Sequence, residues 1–198
     1  MTENIFRNFN DLVLQMVHQF FIWQHLQRSE YNSAYNARRH YWVPVITTLQ
    51  HAFLLNLANI FGEKDKRILS VFTFLDKLKD KSKKERLIEV LHGTRYKNAI
   101  ERLCQWRNNF LAHKNMHFVL NPKELTRKFP FTYTEIQNTF ELLTEILNET
   151  KRDFDPRNAT DYSDYYRMLN DNCREHTDFV LNNGLHTEAY NKLKKQKE

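Results

Sequence analysis

Apolar residues near the start of the chain recur at steps of three and four: Ile5, Phe9, Leu12, Met16, Phe20 and Trp23 fall on one helical face. That spacing predicts a first long helix from about Asn4 to Arg28, with a break from Ser29 to Ser33. A second stripe, Ile46, Leu49, Phe53, Leu57 and Ile60, stops at Gly62, which suits the left-handed position after a helix C-terminus. Pro44 leaves two starts open: near Val43, or an earlier helical stretch from Ala34 that kinks at the proline. Two shorter helices follow, one striped by Ile68, Val71, Phe72, Leu75 and Leu78, the other by Leu87, Ile88 and Leu91 and ended by Gly93.

Thr94 is the candidate cap of a helix that carries Tyr96, Ile100, Leu103, Phe110 and Leu111 and runs to about His113 or Asn115. After a loop with Pro122 and Pro130, Thr134 and Gln137 read as a capping box opening a helix with Ile136, Phe140, Leu143 and Leu147. Asp155-Pro156 marks a boundary. Beyond it a last helix, opened by Thr160 or Ser163, places Tyr162, Tyr166, Leu169, Cys173, His176 and Val180 on one face, to pack on the bundle or on a partner subunit. The expected organisation is an all-α helical bundle over residues 1–153, then a C-terminal helical extension with a Lys-rich tail over 154–198.

Composition narrows the class. The 198 residues include only 3 glycines and 4 prolines, where average usage gives about 24 of the two together. That shortage argues against turn-rich β folds and against Gly-rich nucleotide loops. A hydrophobic share of 41% supports a true core. The net charge of +6 suits a polyanionic partner without identifying one. Cys104 and Cys173 form neither a disulfide framework nor a zinc spacing. Met1-Thr2-Glu3-Asn4 shows no leader pattern and no run approaches ~18 apolar residues, so the expectation is a cytoplasmic protein with no membrane partner.

Two basic stretches are candidates for anion binding. Lys77, Lys79, Lys81, Lys83, Lys84 and Arg86 make either a solvated surface turn or a phosphate-attracting patch. Tyr31, Tyr35, Arg38, Arg39, His40, Tyr41 and Trp42 make either a stacking surface, with Arg38 and Arg39 holding RNA phosphates, or a bulky packed face beside ordinary surface arginines.

The row Tyr96, Ile100, Leu103, Arg107, Phe110 puts a guanidinium where the period calls for an apolar side chain, and the row Leu103, Trp106, Phe110, His113 ends in a histidine. A cation there needs either an internal carboxylate or a bound anion. Six residues apart on a straight α-helix, Arg107 and His113 lie about 120° apart around the axis and about 9 Å along it. They converge on one ligand if the helix ends or bends between them, if the arginine reaches along the axis, or if a two-fold dimer pairs two such helices.

The segment Trp106-Arg107-Asn108-Asn109-Phe110-Leu111-Ala112-His113 resembles the arginine–polar–x(4)–histidine signature of the HEPN superfamily, in the form of its abortive-infection, AbiU-like branch. The resemblance implies an all-α HEPN-type bundle and a metal-independent endoribonuclease that acts as a homodimer, needs no cofactor and serves as a toxin or antiphage effector held by an antitoxin or other regulator. It assigns catalytic roles to Arg107, Asn108 and His113; Lys114, next in the chain, is a further candidate RNA contact. Arg107 would grip the phosphate, His113 would act as base or acid, and Asn108 would orient the phosphate or its partner histidine. The competing reading is a HEPN-like module that binds RNA, a nucleotide or a protein without cutting. His113 and His117, four apart, lack a third ligand at a telling distance, so no metal site is expected.

Overall fold

In the computed structural model the first apolar stripe becomes α1, Thr2–Leu26, and a 3₁₀ turn at Ser29–Tyr31 follows it. The structure describes residues 2–32, 36, 38–62, 69–111, 127–128, 130 and 132–186. Among the described residues six further α-helices follow: α2 (Arg39–Ile60), α3 (Val71–Leu75), α4 (Lys81–His92), α5 (Thr94–Trp106), α6 (Tyr133–Phe154) and α7 (Tyr162–His186). No strand occurs among the described residues. Among the described residues the chain is an all-α bundle, as expected.

α1 is the central element because apolar residues cover more than one of its faces. Phe9, Val13, Met16, Val17 and Phe20 are fully enclosed, and α2, α6 and α7 all pack on it. Two aromatic groups fix its ends. Near the N-terminus, Phe9 stacks on Phe74 of α3 with centroids 4.1 Å apart, while Phe6 and Phe154 close the group. Near the C-terminal half, Phe20 meets Phe53 of α2 edge-on at 5.6 Å and Phe140 of α6 at 5.0 Å. Such aromatic pairs add about 0.5–1.5 kcal/mol each beyond the area they bury. Buried threonines on α6 and α7 stay satisfied by donating to carbonyls one turn back, as Thr139 does to Ile136 at 2.6 Å and Thr177 to Cys173 at 2.7 Å.

Helix ends differ from the sequence expectation in informative ways. α2 begins at Arg39 and runs through Pro44, which sits exposed in its second turn, where only one ladder bond is lost. Gly93 has an extended backbone (φ −63°, ψ 151°) and is at once the end of α4 and the N-cap of α5, so Thr94 is the first helical residue and supplies no side-chain cap. The capping box of α6 lies two residues earlier than expected. Thr132 Oγ1 accepts from Glu135 N at 3.2 Å, and Glu135 Oε2 accepts from Thr132 N at 2.8 Å. α7 is opened by neither Thr160 nor Ser163 but by Asp161, whose carboxylate accepts from Ser163 N at 2.9 Å.

The inner face of α7 is Tyr162, Tyr166, Leu169, Cys173, Thr177 and Leu181. His176 and Val180, expected there, are exposed, because continued steps of four carry the buried row past them. Through Tyr162, Tyr166, Leu169 and Cys173 this helix shares one core with α1 and α6. His25 of α1 is buried and pairs with Asn170 of α7 through Nε2 and Oδ1, 2.9 Å apart.

Candidate functional site

α5 carries the singled-out row, and its position is set from two sides. Tyr96, Ala99 and Leu103 are buried on its inner face, against α2 and α6. Arg102 forms an ion pair with Glu135 in the first turn of α6, and Arg95 lies 3.6 Å from Glu141, six residues further along that helix. Glu135 thus both caps α6 and holds α5.

The α-helix stops at Trp106, and Arg107–Leu111 form a single π-helical turn. A π turn bonds five residues back instead of four and is frequent at functional sites. The change of register frees carbonyls of the last α turn, and Asn109 Nδ2 takes one of them, donating to Gln105 O at 2.8 Å. The bonding register therefore changes between Arg107 and Leu111, so the angular spacing of an unbroken α-helix does not hold across this turn. His113 and Lys114, like His117, lie outside the described residues.

Arg107 is half-buried against the end of α2. An ideal Cβ built on Gly62 would lie 2.5 Å from Arg107 Nη1, so the guanidinium rests directly on the glycine backbone. Gly62 does not adopt the left-handed conformation expected of it, and close approach is what its missing side chain permits. Arg107 Nε donates to Asn108 Oδ1 at 3.0 Å. Among the described residues no carboxylate forms an ion pair with Arg107. The partially negative C-terminus of α2, which the π turn contacts, favours a cation there.

The two basic stretches fare differently. In the lysine run, Lys83 pairs with Asp153 at 2.7 Å, Lys84 with Asp76 at 2.8 Å and Arg86 with Glu149, so three of its cations are tied to acidic partners on the same surface. Arg38 and Arg39 are exposed at the start of α2, and Arg38, His40, Tyr41 and Trp42 line a shallow recess of about 420 Å³. Tyr41 stands 63% exposed with its ring edge-on to Trp42. Tyr31 leaves the cluster, being buried with Leu26 and Leu181. The 22 residues of α2 span about 33 Å, so Arg38 and Arg39 lie at the opposite end of that helix from Gly62 and Arg107.

α2 is also the one described helix whose length and mean hydropathy (1.2) would allow a membrane span. Phe53, Leu54, Leu57, Ala58 and Ile60 in its second half are buried in the protein core.

A model of the HEPN family AbiU2 matches residues 2–175, from the first turn of α1 into α7. The chain belongs to that family. Its motif from Arg107 onward falls inside the matched span, and the protein is a HEPN module of the abortive-infection type. No curated protein and no solved structure matches the chain.

Sequence reasoning found Arg107 and Asn108 but missed Gly62 and the Asn109–Gln105 hook. The signal for Gly62 was present: one of three glycines in the chain stands at the end of a core helix. It was read as a conformational cap because close approach of a distant side chain leaves no mark on local spacing.

Proposed function

We propose that this HEPN protein is a metal-independent endoribonuclease, acting as a homodimer in antiphage defence. The observation that carries the reading is Arg107: a guanidinium held by a neutral amide and a glycine, with its charge uncommitted to a carboxylate among the described residues. Such a cation is suited to receive an anion, and family membership points to the RNA phosphate.

The chemistry follows from the residue types. His113 removes the proton from a ribose 2′-hydroxyl, and the 2′-oxygen attacks the adjacent phosphorus. The bond from phosphorus to the 5′-oxygen breaks, and that oxygen leaves with a proton from a second acid, the histidine of the partner copy. Arg107 stabilises the charge that builds on the pentacoordinate phosphate. The products are a 2′,3′-cyclic phosphate and a 5′-hydroxyl. Asn108 holds Arg107 rather than the phosphate. Arg38, Arg39 and Lys114 add electrostatic contacts along the strand.

The test is cleavage of RNA in excess chelator, alongside sedimentation at the assay concentration. Cutting that persists without divalent metal, by a dimer, supports the proposal. Loss of cutting on chelation, or activity from a species that is only monomeric, contradicts it.

A further inference from the structure

We infer that Gly62 is a positioning residue for Arg107, a role that rests on the ribonuclease reading above. The end of α2 leaves a space one methyl group wide, and Arg107 Nη1 fills it. A Cβ at position 62 would sit 2.5 Å from that nitrogen, closer than any unshifted contact allows, and 3.1 and 3.3 Å from the carbonyl oxygens of Asn59 and Ala58. The carbonyl contacts are tight but tolerable. The guanidinium contact is not, and it is relieved only by moving the guanidinium.

The backbone at Gly62 lies outside the left-handed region, so an alanine there carries no penalty of backbone conformation. What the glycine provides is a place for a distant side chain. Three features then define where the fork of Arg107 points: the glycine floor beneath Nη1, the Asn108 amide that accepts from Nε at 3.0 Å, and the π turn anchored by Asn109. Asn108 and Asn109 lie within the motif, whereas Gly62 follows the end of a different helix and lies 45 residues earlier than Arg107 in the chain. Phosphoryl transfer depends on placing the cation where charge develops, and an error of about 1 Å can cost about 100-fold in rate.

The test compares wild type, Gly62→Ala, Arg107→Ala and the double variant. It uses thermal melting, RNA cleavage kinetics and the Nε–H resonance of Arg107, assigned by its disappearance in Arg107→Ala. The expectation for Gly62→Ala is a fold that melts near the wild-type temperature, a displaced Nε–H resonance that exchanges faster with solvent, and kcat/KM lowered about 100-fold, mostly through kcat. In the Arg107→Ala background the glycine substitution should change nothing further. An unmoved Nε–H resonance, or unchanged cleavage beside an active wild type, overturns the assignment. Should Gly62→Ala alone lose its fold, recovery in the double variant supports Arg107 as the crowding neighbour, and failure to recover overturns it. A displaced resonance in a protein whose wild type cuts no RNA upholds the positioning and rejects the ribonuclease reading, so the two are separable.

Discussion

Arg107 and Asn108, neighbours in the chain, are joined side chain to side chain: the guanidinium Nε donates to the amide Oδ1 at 3.0 Å. The bond takes the one guanidinium nitrogen that a bidentate grip through the two terminal nitrogens leaves unused. Both Nη groups are thereby presented in a fixed plane. Asn108→Ala should lower cleavage about tenfold with little change in RNA affinity, a loss matching one solvent-exposed hydrogen bond of about 1.4 kcal/mol. Asn108→Asp keeps an acceptor but supplies a carboxylate that competes with phosphate for the same cation. It should weaken binding more than Asn108→Ala does, measured by RNA titration at two salt concentrations.

Arg107 itself should matter far more to chemistry than to folding. Breaking a buried ion pair costs about 3–5 kcal/mol, because the partner charge is left uncompensated. Arg107 is half-buried and bonded to a neutral amide, so Arg107→Ala should cost about 1 kcal/mol in denaturant unfolding while removing cleavage. A loss of several kcal/mol would point instead to a structural pair inside the fold.

The stack of Phe9 on Phe74 is the stability counterpart of the site. Both rings are fully buried, 4.1 Å apart and within 8° of parallel, and α3 is only five residues long. Its own helix propensity cannot hold so short a segment. Phe74→Ala should destabilise the protein by about 3–5 kcal/mol, and urea unfolding should show it. Because α3 packs chiefly on α1 and α4, with Phe154 of α6 beside Phe74, residual cleavage per folded molecule should stay near wild type.

Two groups make stability depend on pH in the acid range. Burial holds the His18 imidazole below its usual 6.5, so on acidification the unfolded chain binds the proton first. Stability therefore falls as pH drops from about 6.5 toward the folded value, and His18→Gln should flatten that part of the melting curve. The Asp161 carboxylate is held below its usual 3.8, first by the Ser163 N–H and also by the Asp164 N–H and the Asn148 amide. Its contribution is complete above about pH 4 and is lost as pH falls through the lowered value. Asp161→Asn should remove that second decline.

How much of this was legible in the sequence depends on the range of the interaction. The long helices were readable because burial imposes a period of 3.6 on every residue that touches α1, as Phe9, Met16 and Phe20 show. Caps were less so. Thr132 and Thr134 both offer a hydroxyl three residues before a Glu or Gln, and only the course of the chain selects Thr132 with Glu135. The π turn was not legible at all, since its one extra residue per turn looks like α periodicity over five positions. The site was half legible: Arg107 broke the apolar pattern, whereas Gly62 acts through space, between elements that the sequence does not juxtapose. The distance between Arg107 and the Arg38–Arg39 pair likewise required the full length of α2.

The most direct measurement is the chemistry of RNA ends produced by the purified wild type and by His113→Ala in excess chelator, with melting of both proteins recorded. The account predicts that the wild type alone cuts, leaving 2′,3′-cyclic phosphates and 5′-hydroxyls, while both proteins melt alike. Fragments ending in 3′-hydroxyls, or equal cutting by the His113→Ala protein, would contradict it.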